Sequence, residues 1–393
     1  MKQTLYLAWR YLAFHRVKTT ILIVAITLIV YLPIGLRVLV DQSAAQLTAR
    51  AVATPLLIGS KGSPLELVLN TLYFQSDYPD PMRYAQVERV TESGLALAVP
   101  MYVRFNAQGH PIVGTSYEYF EYRRLEIESG RQLVTLGECV LGSRVAEAMG
   151  VGPDEFVISS PESVFDLAGV YPLRMKVVGV LGYSDSADDD AIFVDVKTAW
   201  IIEGLGHGHM DLTRPEAAAG VLTRDSTNVV GNPAVVQYNE ITPDNIDSFH
   251  FHGDLSEFPV TAVLAVPPDQ RSSAILQGRY QAADEVAMIV RPVDVMDELL
   301  DTILTVQSFV TAGAIIVGLA TLATAALVFL LSLRLRRREI ETMFKIGGSR
   351  LSVASVMTSE IVAVLVVGVL LAGGLTFLTS QFGSAAIRAF IRM

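Results

Sequence analysis

Three long apolar runs, at residues 19–40, 306–331 and 353–379, constrain this sequence more than any other feature. Each is long enough to cross a bilayer as a helix, which takes about 20 apolar residues. A short basic loop, residues 333–350, joins the last two runs and reads LRLRRREIETMFKIGGSR. Because Lys and Arg beside a span are retained in the cytoplasm, this loop is predicted to lie inside the cell.

The first run follows four basic residues and no acidic one, which predicts a cytoplasmic N-terminus. The alternative is a secretory signal peptide, whose apolar core of about 7–15 residues is normally shorter than this run. Small residues that would suit cleavage follow at Ser43, Ala44 and Ala45. We favour an uncleaved first span.

Charge is distributed very unevenly along the chain. Residues 41–300 hold 17 Lys and Arg against 36 Asp and Glu, whereas the remainder holds 13 against 4. An acidic block between basic flanks is typical of a translocated domain held by membrane spans. Nucleic acid is excluded as a partner by the acidity of this block. The single cysteine, Cys139, excludes an internal disulfide.

Within the acidic block, short strand patterns alternate with short helical ones, which predicts an α+β domain. The predicted strands are residues 54–58, 96–104, 111–114, 138–141, 173–181, 191–194, 260–266 and 285–290, and the predicted helices are residues 65–72, 117–124, 143–149 and 270–277. Ser143 is predicted to cap its helix. Pro292 opens a helix that runs without a break into the second span.

The sequence therefore predicts an α-helical membrane protein of three transmembrane helices, with a large α+β periplasmic domain between the first two. The predicted segments are residues 1–40 (cytoplasmic helix and first span), 41–300 (periplasmic domain), 301–333 (second span), 334–351 (cytoplasmic loop), 352–379 (third span) and 380–393 (tail). Three spans place the C-terminus outside.

Four of the six histidines form two H-x-H pairs, His207 with His209 and His250 with His252. In an extended segment, residues i and i+2 point to the same side, so two pairs that meet would form a zinc or copper site. The pairs match no standard zinc spacing. A local hydrogen-bonding role, a pH-sensitive role and no special role are the alternatives.

Other motifs favour no catalytic site. Residues 59–64 lack the spacing of a phosphate-binding loop, and the stretch around Ser143 lacks the second glycine of a nucleophile elbow. The acidic residues 185–190 are interpreted as a solvated loop rather than a cation site. Glu360 is the one acidic residue within the three long apolar runs, and is a functional candidate that would pair with Arg350 or with a partner chain.

Several stretches match the pattern of one membrane-protein family. They are Ala8-Trp9-Arg10-Tyr11-Leu12, Val113-Gly114-Thr115, Tyr119-Phe120, Gly130-Arg131, Cys139-Val140-Leu141-Gly142-Ser143, Val177-Val178-Gly179-Val180-Leu181 and Asp189-Asp190-Ala191-Ile192-Phe193. Most specific is Arg337-Arg338-Glu339-Ile340-Glu341 with Lys345-Ile346-Gly347-Gly348, which is similar to a cytoplasmic loop of pattern R-x-x-E-I-[GA]-x-x-x-[AS]-x-G-[AG]. Over nearly its whole length the chain resembles the MacB/FtsX-like permeases of ABC transporters, which include the lipoprotein-releasing permeases.

The resemblance implies a non-catalytic subunit of the bacterial inner membrane that couples ATP hydrolysis on a separate cytoplasmic ATPase to movement of its periplasmic domain, driving efflux or extraction of a substrate. Mg-ATP would bind the partner ATPase. The positions implied to contact that ATPase are Arg337, Arg338, Glu339, Lys345, Gly347 and Gly348. Further implied partners are a second permease copy or a homologous permease, a periplasmic adaptor and an outer-membrane channel. The periplasmic domain would divide into a porter-like part, residues 41–105 and 220–300, and an inserted part, residues 106–219.

Two departures from the family pattern accompany the resemblance. Glu341 stands where the family has a small residue, and the usual fourth span is missing, which leaves a natural three-span protein, a partner that supplies the rest, or a truncated sequence as explanations. Two other functions stay open at this point. One is an FtsX-like regulator of a periplasmic cell-wall hydrolase, and the other is a metal-handling membrane protein that uses the H-x-H pairs.

Overall fold

The computed structural model describes the chain except for residues 1, 76, 161–171, 209–220, 225–228, 232–238, 283, 336, 346, 348 and 392–393. The chain divides into two compact units. The helical unit comprises Met1–Ala49 and Asp297–Met393, and the sheet unit comprises Arg50–Met296.

The sheet unit carries all the strands among the described residues. They are β1 Leu56–Ser60, β2 Met82–Arg83, β3 Leu97–Ala107, β4 His110–Thr115, β5 Ile127–Gly130, β6 Glu138–Leu141, β7 Phe156–Ile158, β8 Arg174–Leu181, β9 Ile192–Asp195, β10 Gly206–Gly208, β11 Val221–Arg224, β12 Val229–Gly231, β13 Phe249–Phe251, β14 Pro259–Val260, β15 Ala262–Val266 and β16 Ala287–Val290. The α-helices among the described residues are α1 Lys2–Phe14, α2 Arg16–Val52, α3 Pro64–Tyr73, α4 Ala85–Ser93, α5 Tyr117–Arg123, α6 Ser143–Met149, α7 Val196–Glu203, α8 Gln270–Arg279, α9 Pro292–Leu335, α10 Arg337–Lys345 and α11 Arg350–Ile391.

Ten of the described strands form one mixed sheet in the order β16-β1-β15-β3-β4-β9-β6-β8-β5, with β7 also paired to β8. Only the β4–β9 and β6–β8 pairs of this sheet are parallel. The β3–β4 hairpin turns at Gln108 and Gly109, whose φ angles of 51° and 85° suit a two-residue turn that follows the strand twist. Strands of the predicted porter-like and inserted parts lie toward opposite ends of the sheet. The division into two parts stays a prediction, since one sheet runs through both.

Burial explains why the central strands form. Strand β6 and most of β9, β15 and β1 are buried, so each reads as a short apolar run rather than an alternating pattern. The helix α7 covers this sheet with Trp200, which is 1% exposed. The indole N–H of Trp200 donates to the carbonyl of Pro259 at 2.7 Å, which satisfies its buried polar atom.

Most predicted elements of the sheet unit are observed within a few residues of their predicted bounds, and β6 and α6 coincide with them. The cap of α6 was predicted wrongly. The N-cap is Gly142, and Ser143 is the first helical residue, with a buried hydroxyl oxygen that has no hydrogen-bond partner. The close approach of Gly142 to a neighbouring turn, described below, occupies the position that a capping side chain would need.

In the helical unit, two segments of the described chain are long and apolar enough to cross a membrane, Arg16–Gln42 and Val353–Gly383. The predicted second span contains a shorter apolar segment, Ser308–Thr324. Its crossing of the membrane therefore stays a prediction.

The two longer segments pack side by side. Leu22, Ile26 and Val364 form a small buried cluster. The hydroxyl of Thr27 donates to the carbonyl of Gly368 at 3.2 Å, and the side-chain amide of Gln42 donates to the carbonyl of Ser380 at 2.8 Å. Residues later in α2 contact residues later in α11, so the two helices run in the same direction.

Candidate functional site

The basic loop predicted to meet an ATPase forms a helix of its own, α10. Arg337, Arg338 and Lys345 are exposed on it. The Nε of Arg337 lies 3.4 Å from Oε1 of Glu341, and these side chains are 83% and 54% exposed. Such an exposed pair contributes little to stability. The side chain of Glu339 and all of Gly348 lie outside the described part of the chain.

Gly347 ends this helix. Its φ of 95° is in the left-handed region that glycine adopts without steric cost. Its N–H donates to the carbonyl of Phe344 at 3.1 Å and satisfies one of the terminal carbonyls of α10. Gly347 therefore fixes the end of α10, the helix that carries Arg337 and Lys345.

Glu360 is 5% exposed, in the helical unit on α11. A buried carboxylate in an apolar helix is costly unless it is paired. Its predicted pairing with Arg350 is not tested, because the Arg350 side chain lies outside the described residues.

A buried cluster that the sequence did not predict lies in the sheet unit, and we call it the Arg50 clamp. It consists of Arg50 in the last turn of α2, Tyr119 of α5, and Asp188 in the 3-10 turn that precedes β9. Two nitrogens of Arg50 donate to the two oxygens of Asp188 at 2.6 and 2.9 Å. Arg50 also donates to the Tyr119 hydroxyl at 2.7 Å, and that hydroxyl donates to Asp188 at 2.7 Å.

Arg50, Tyr119 and Asp188 each form hydrogen bonds with the other two, which is what a buried ion pair needs to persist. Within the described part of the chain, the Nε of Arg50 has no hydrogen-bond partner. Burial acts to raise the pKa of Asp188, but the charge of Arg50 and the hydrogen bonds from Arg50 and Tyr119 outweigh it and hold that pKa at about 2. Burial also raises the pKa of Tyr119, so its hydroxyl keeps its proton. The cluster is an ion pair with a neutral phenol.

This geometry corrects the interpretation of residues 185–190 as a solvated loop. Asp188 and Asp189 are 2% and 0% exposed. Arg144 forms ion pairs with the next two carboxylates. Its Nη1 lies 3.2 Å from Oδ2 of Asp189, and its Nη2 lies 2.6 Å from Oδ2 of Asp190. The middle of the acidic run is therefore buried, where Arg50 and Arg144 neutralise Asp188 and Asp189. Its two ends stay partly exposed, with the side chains of Asp185 and Asp190 49% and 45% exposed.

Gly142 allows this turn to pack closely. A Cβ at Gly142 would lie 2.3 Å from the carbonyl oxygen of Asp188 and 2.4 Å from that of Asp189. Any side chain there would displace the backbone that holds the clamp. The clamp therefore depends on a glycine that sits at the start of α6.

The second connection of the sheet unit to an apolar helix is α9. It begins at Pro292, where the fixed φ of proline suits the first turn of a helix. Met296, one turn later, is fully buried. The helix then continues as one element to Leu335 and confirms the predicted unbroken helix from Pro292 into the second apolar run.

Three of the four histidines of the H-x-H pairs come together. The ligand nitrogens of His207, His250 and His252 all lie within 4.8 Å of one another. Strand pairing brings them together, since β10 and β13 are antiparallel with His207 opposite His250. His209 lies outside the described residues.

Comparison with known protein families identifies the family of the chain. The model of the MacB-like periplasmic core domain matches residues 19–230, which is more than half of the chain. A comparison with curated protein sequences finds no significant match.

Two solved structures are similar to parts of the chain at low identity. One is described as the extracellular domain of the noncanonic ABC-type transporter YknZ from Gram-positive bacteria, with 11% identity and a TM-score of 0.32 over 60% of this chain and 98% of that one. The other is described as the periplasmic region of MacB from Actinobacillus actinomycetemcomitans, with 9% identity and a TM-score of 0.34 over 63% of this chain and 92% of that one. The match to the family model, together with the α+β sheet unit and the two long apolar helices, identifies the chain as a member of the family with a MacB-like periplasmic core domain.

Proposed function

We propose that this chain is the permease subunit of an ABC transporter. It converts ATP binding and hydrolysis on a separate cytoplasmic ATPase into movement of the sheet unit, which drives efflux or extraction of a substrate outside the cytoplasm. Membership of the MacB-like family supports this function.

The observation that carries the proposal is the continuity of α9. A single helix begins directly after β16 in the chain and ends at Leu335, directly before α10. An unbroken helix is stiff along its axis, so displacement at one end moves the other. An internal proline would kink the helix and absorb such motion, and after its first residue α9 contains no proline. Its two glycines, Gly313 and Gly318, lie within the helix without interrupting it.

The Arg50 clamp supports the same mechanism at the other connection. The last turn of α2 is fixed to the α5 helix and the turn before β9 by buried, charge-assisted hydrogen bonds. Movement of the last turn of α2, which follows the internal Pro33, would therefore move α5 and the turn before β9 with it.

The parallel packing of α2 and α11 supports three spans. If both cross the membrane from inside to outside, α9 must return the chain between them, and α10 lies in the cytoplasm. Exposed arginines and Lys345 then face the cytoplasm, where an ATPase can bind them.

The partner is tested by purifying the tagged full-length chain from its native membranes and identifying the proteins that accompany it. We expect one ABC ATPase. Exchanging the charges at positions 337 and 339 (Arg337→Glu with Glu339→Arg) should remove the ATPase from the purified complex while the sheet unit stays folded.

A matched control is the exposed pair Arg83 and Glu257 in the sheet unit, which are 71% and 55% exposed. Exchanging those charges (Arg83→Glu with Glu257→Arg) should leave the ATPase bound. Co-purification of the ATPase with the 337/339 variant at the level of the unmodified chain would contradict the proposed docking site.

A further inference from the structure

The sequences of β10 and β13 are complementary in an unusual way. Gly206-His207-Gly208 pairs with Phe249-His250-Phe251 in antiparallel register, with each glycine opposite a phenylalanine and histidine opposite histidine. Directly opposed residues project to the same side of a sheet, and side chains alternate along each strand. One side of this two-stranded sheet is therefore aromatic, and the other carries the imidazoles.

The aromatic side is fixed to the core of the sheet unit. The ring of Phe251 lies 6.2 Å from that of Trp200 and 5.8 Å from that of Phe258. A Cβ at Gly206 would lie 2.5 Å from the Phe251 ring, and one at Gly208 would lie 2.6 Å from the Phe249 ring. The two glycines thus make room for the phenylalanines, and the packing of those rings turns the histidine side toward solvent.

On that outer side, His252 joins the opposed pair because it follows His250 by two residues. The ring centroids are 5.1 Å apart for His207 and His250, 5.0 Å for His207 and His252, and 4.7 Å for His250 and His252. This proximity lets the three imidazoles face one ion together.

One pair of nitrogens already has the separation that a tetrahedral ion needs, within a cluster whose ligand nitrogens all lie within 4.8 Å of one another. The Nε2 atoms of His207 and His252 are 3.4 Å apart. Two nitrogens that bind one tetrahedral Zn²⁺ at about 2.0–2.1 Å are separated by about 3.3 Å. The distance between these two nitrogens therefore already matches that of two ligands on one tetrahedral zinc ion.

The tautomer of His250 is also suitable. Its Nδ1 lies 2.9 Å from the carbonyl oxygen of Ser248. Because a carbonyl only accepts, Nδ1 carries the hydrogen and the lone pair of the neutral ring is on Nε2. A backbone carbonyl on the second ring nitrogen is the usual outer-shell partner of a metal-bound histidine.

We propose that His207, His250 and His252 form a three-imidazole binding site for one divalent transition-metal ion of the zinc class on the sheet unit. Imidazole donors favour zinc and its late first-row neighbours over Mg²⁺ or Ca²⁺. His250 and His252 are exposed, so the ion keeps an open coordination position and exchanges with solvent. Asp254 is not part of this cluster, and its carboxylate accepts a hydrogen bond from the backbone N–H of Ser256 at 3.0 Å.

The full-length chain, purified in detergent with a tag that contains no histidine and stripped with a chelator, provides the test. Zn²⁺ titration should show one tight equivalent per chain. Co²⁺ in its place should give the intense visible absorption of a four-coordinate ion, and acidification should release the metal because protons compete for the imidazoles.

Single substitutions locate the site. His207→Ala, His250→Ala and His252→Ala should each weaken Zn²⁺ binding by at least about tenfold, since even outer-shell changes cost about 10- to 100-fold. His110→Ala is the control, because His110 begins β4 in the same unit and is outside the cluster. It should bind Zn²⁺ like the unmodified chain.

Two results would overturn the site. One is an unmodified chain that binds no Zn²⁺ and gives no four-coordinate Co²⁺ spectrum, which decides the matter even if a variant fails to fold. The other is equal loss of binding in His110→Ala and in the three cluster variants. Neither result bears on the ATPase partner, which the co-purification experiment tests separately.

Discussion

Arg50 and Asp188 are 138 positions apart in the chain, yet they form a two-point ion pair, with nitrogen–oxygen distances of 2.6 and 2.9 Å, in which the side chains are only 9% and 3% exposed. Arg50 lies in the last turn of α2. Asp188 lies in the turn immediately before β9, a strand near the middle of the sheet. The pair therefore fixes the last turn of α2 within the sheet unit.

Removing one partner of this pair should be severe. Asp188→Ala leaves the Arg50 guanidinium buried without its counter-ion, for which a loss of about 3–5 kcal/mol is expected. Denaturant unfolding of the sheet unit can be followed by the fluorescence of Trp200 in a Trp9→Phe background, since the chain has two tryptophans. Glu257→Ala, which breaks the exposed pair with Arg83, should cost no more than about 1 kcal/mol. Equal losses in the two variants would show that the clamp adds nothing.

Acid should weaken the sheet unit through two carboxylates. The pKa of Asp188 is about 2 for the reasons given above, and that of Glu138 is also about 2, where burial raises it but hydrogen bonds from Arg131, Val134 and Thr135 lower it further. Both pKa values are below the ordinary value of about 4 in an unfolded chain. Their contribution to stability is therefore complete above about pH 5 and is lost as the pH falls through about 4 toward 2.

The free energy of unfolding, measured between pH 7 and pH 3, tests this dependence. Glu138→Gln should lower the stability at pH 7 and flatten its fall below pH 5. Glu147→Gln on the exposed side of α6 is the control, and it should keep the slope of the unmodified chain. A stability that is constant down to pH 3 would contradict the assignment.

Gly142 should tolerate no side chain. Gly142→Ala places a Cβ 2.3 Å from the Asp188 carbonyl oxygen, so the turn that carries the clamp must move. Overpacking of this kind typically costs about 1–3 kcal/mol. Gly62→Ala, where a Cβ meets nothing within 4 Å, should leave the unfolding midpoint nearly unchanged. The prediction fails if both variants unfold at the same denaturant concentration.

Close packing of α2 against α11 should depend on Gly368. A Cβ there would lie 2.7 Å from Cγ2 of Ile26, whereas a Cβ at Gly373 on the same helix meets nothing within 4 Å. Small residues at such contacts let membrane helices approach each other. Gly368→Val should lower the temperature at which the detergent-solubilised chain loses its monodisperse size-exclusion peak, and Gly373→Val should not. Identical melting of the two variants would argue against the parallel helix pair.

Local sequence was sufficient for much of the sheet unit. Strand β6 and helix α6 were predicted to the residue because Gly142 and Gly150 mark their boundaries. The helices α4 and α7 were missed, and α7 shows why. Six of its eight residues are buried, so it lacks the polar side that a helical pattern needs.

Tertiary contacts explain what could not be predicted. The burial of Asp188 depends on Arg50, and no local pattern connects residues 138 positions apart. The histidines were a different case, because the H-x-H spacing was visible and only the register of β10 with β13 was missing. The sequence does contain a signal for this pairing. Glycines flank His207 and phenylalanines flank His250, and such segments are complementary as antiparallel strands.

The central claim is that α10 and the residues just after it contact a cytoplasmic ATPase. The most direct measurement is photo-crosslinking in native membranes, with a photoreactive residue at position 345, whose side chain is exposed at the end of α10. The same residue at position 279, at the end of α8 in the sheet unit, is the control. The account predicts one adduct with an ABC ATPase from position 345 and none from position 279. An abundant full-length chain that gives no ATPase adduct from position 345, or equal adducts from both positions, would contradict it.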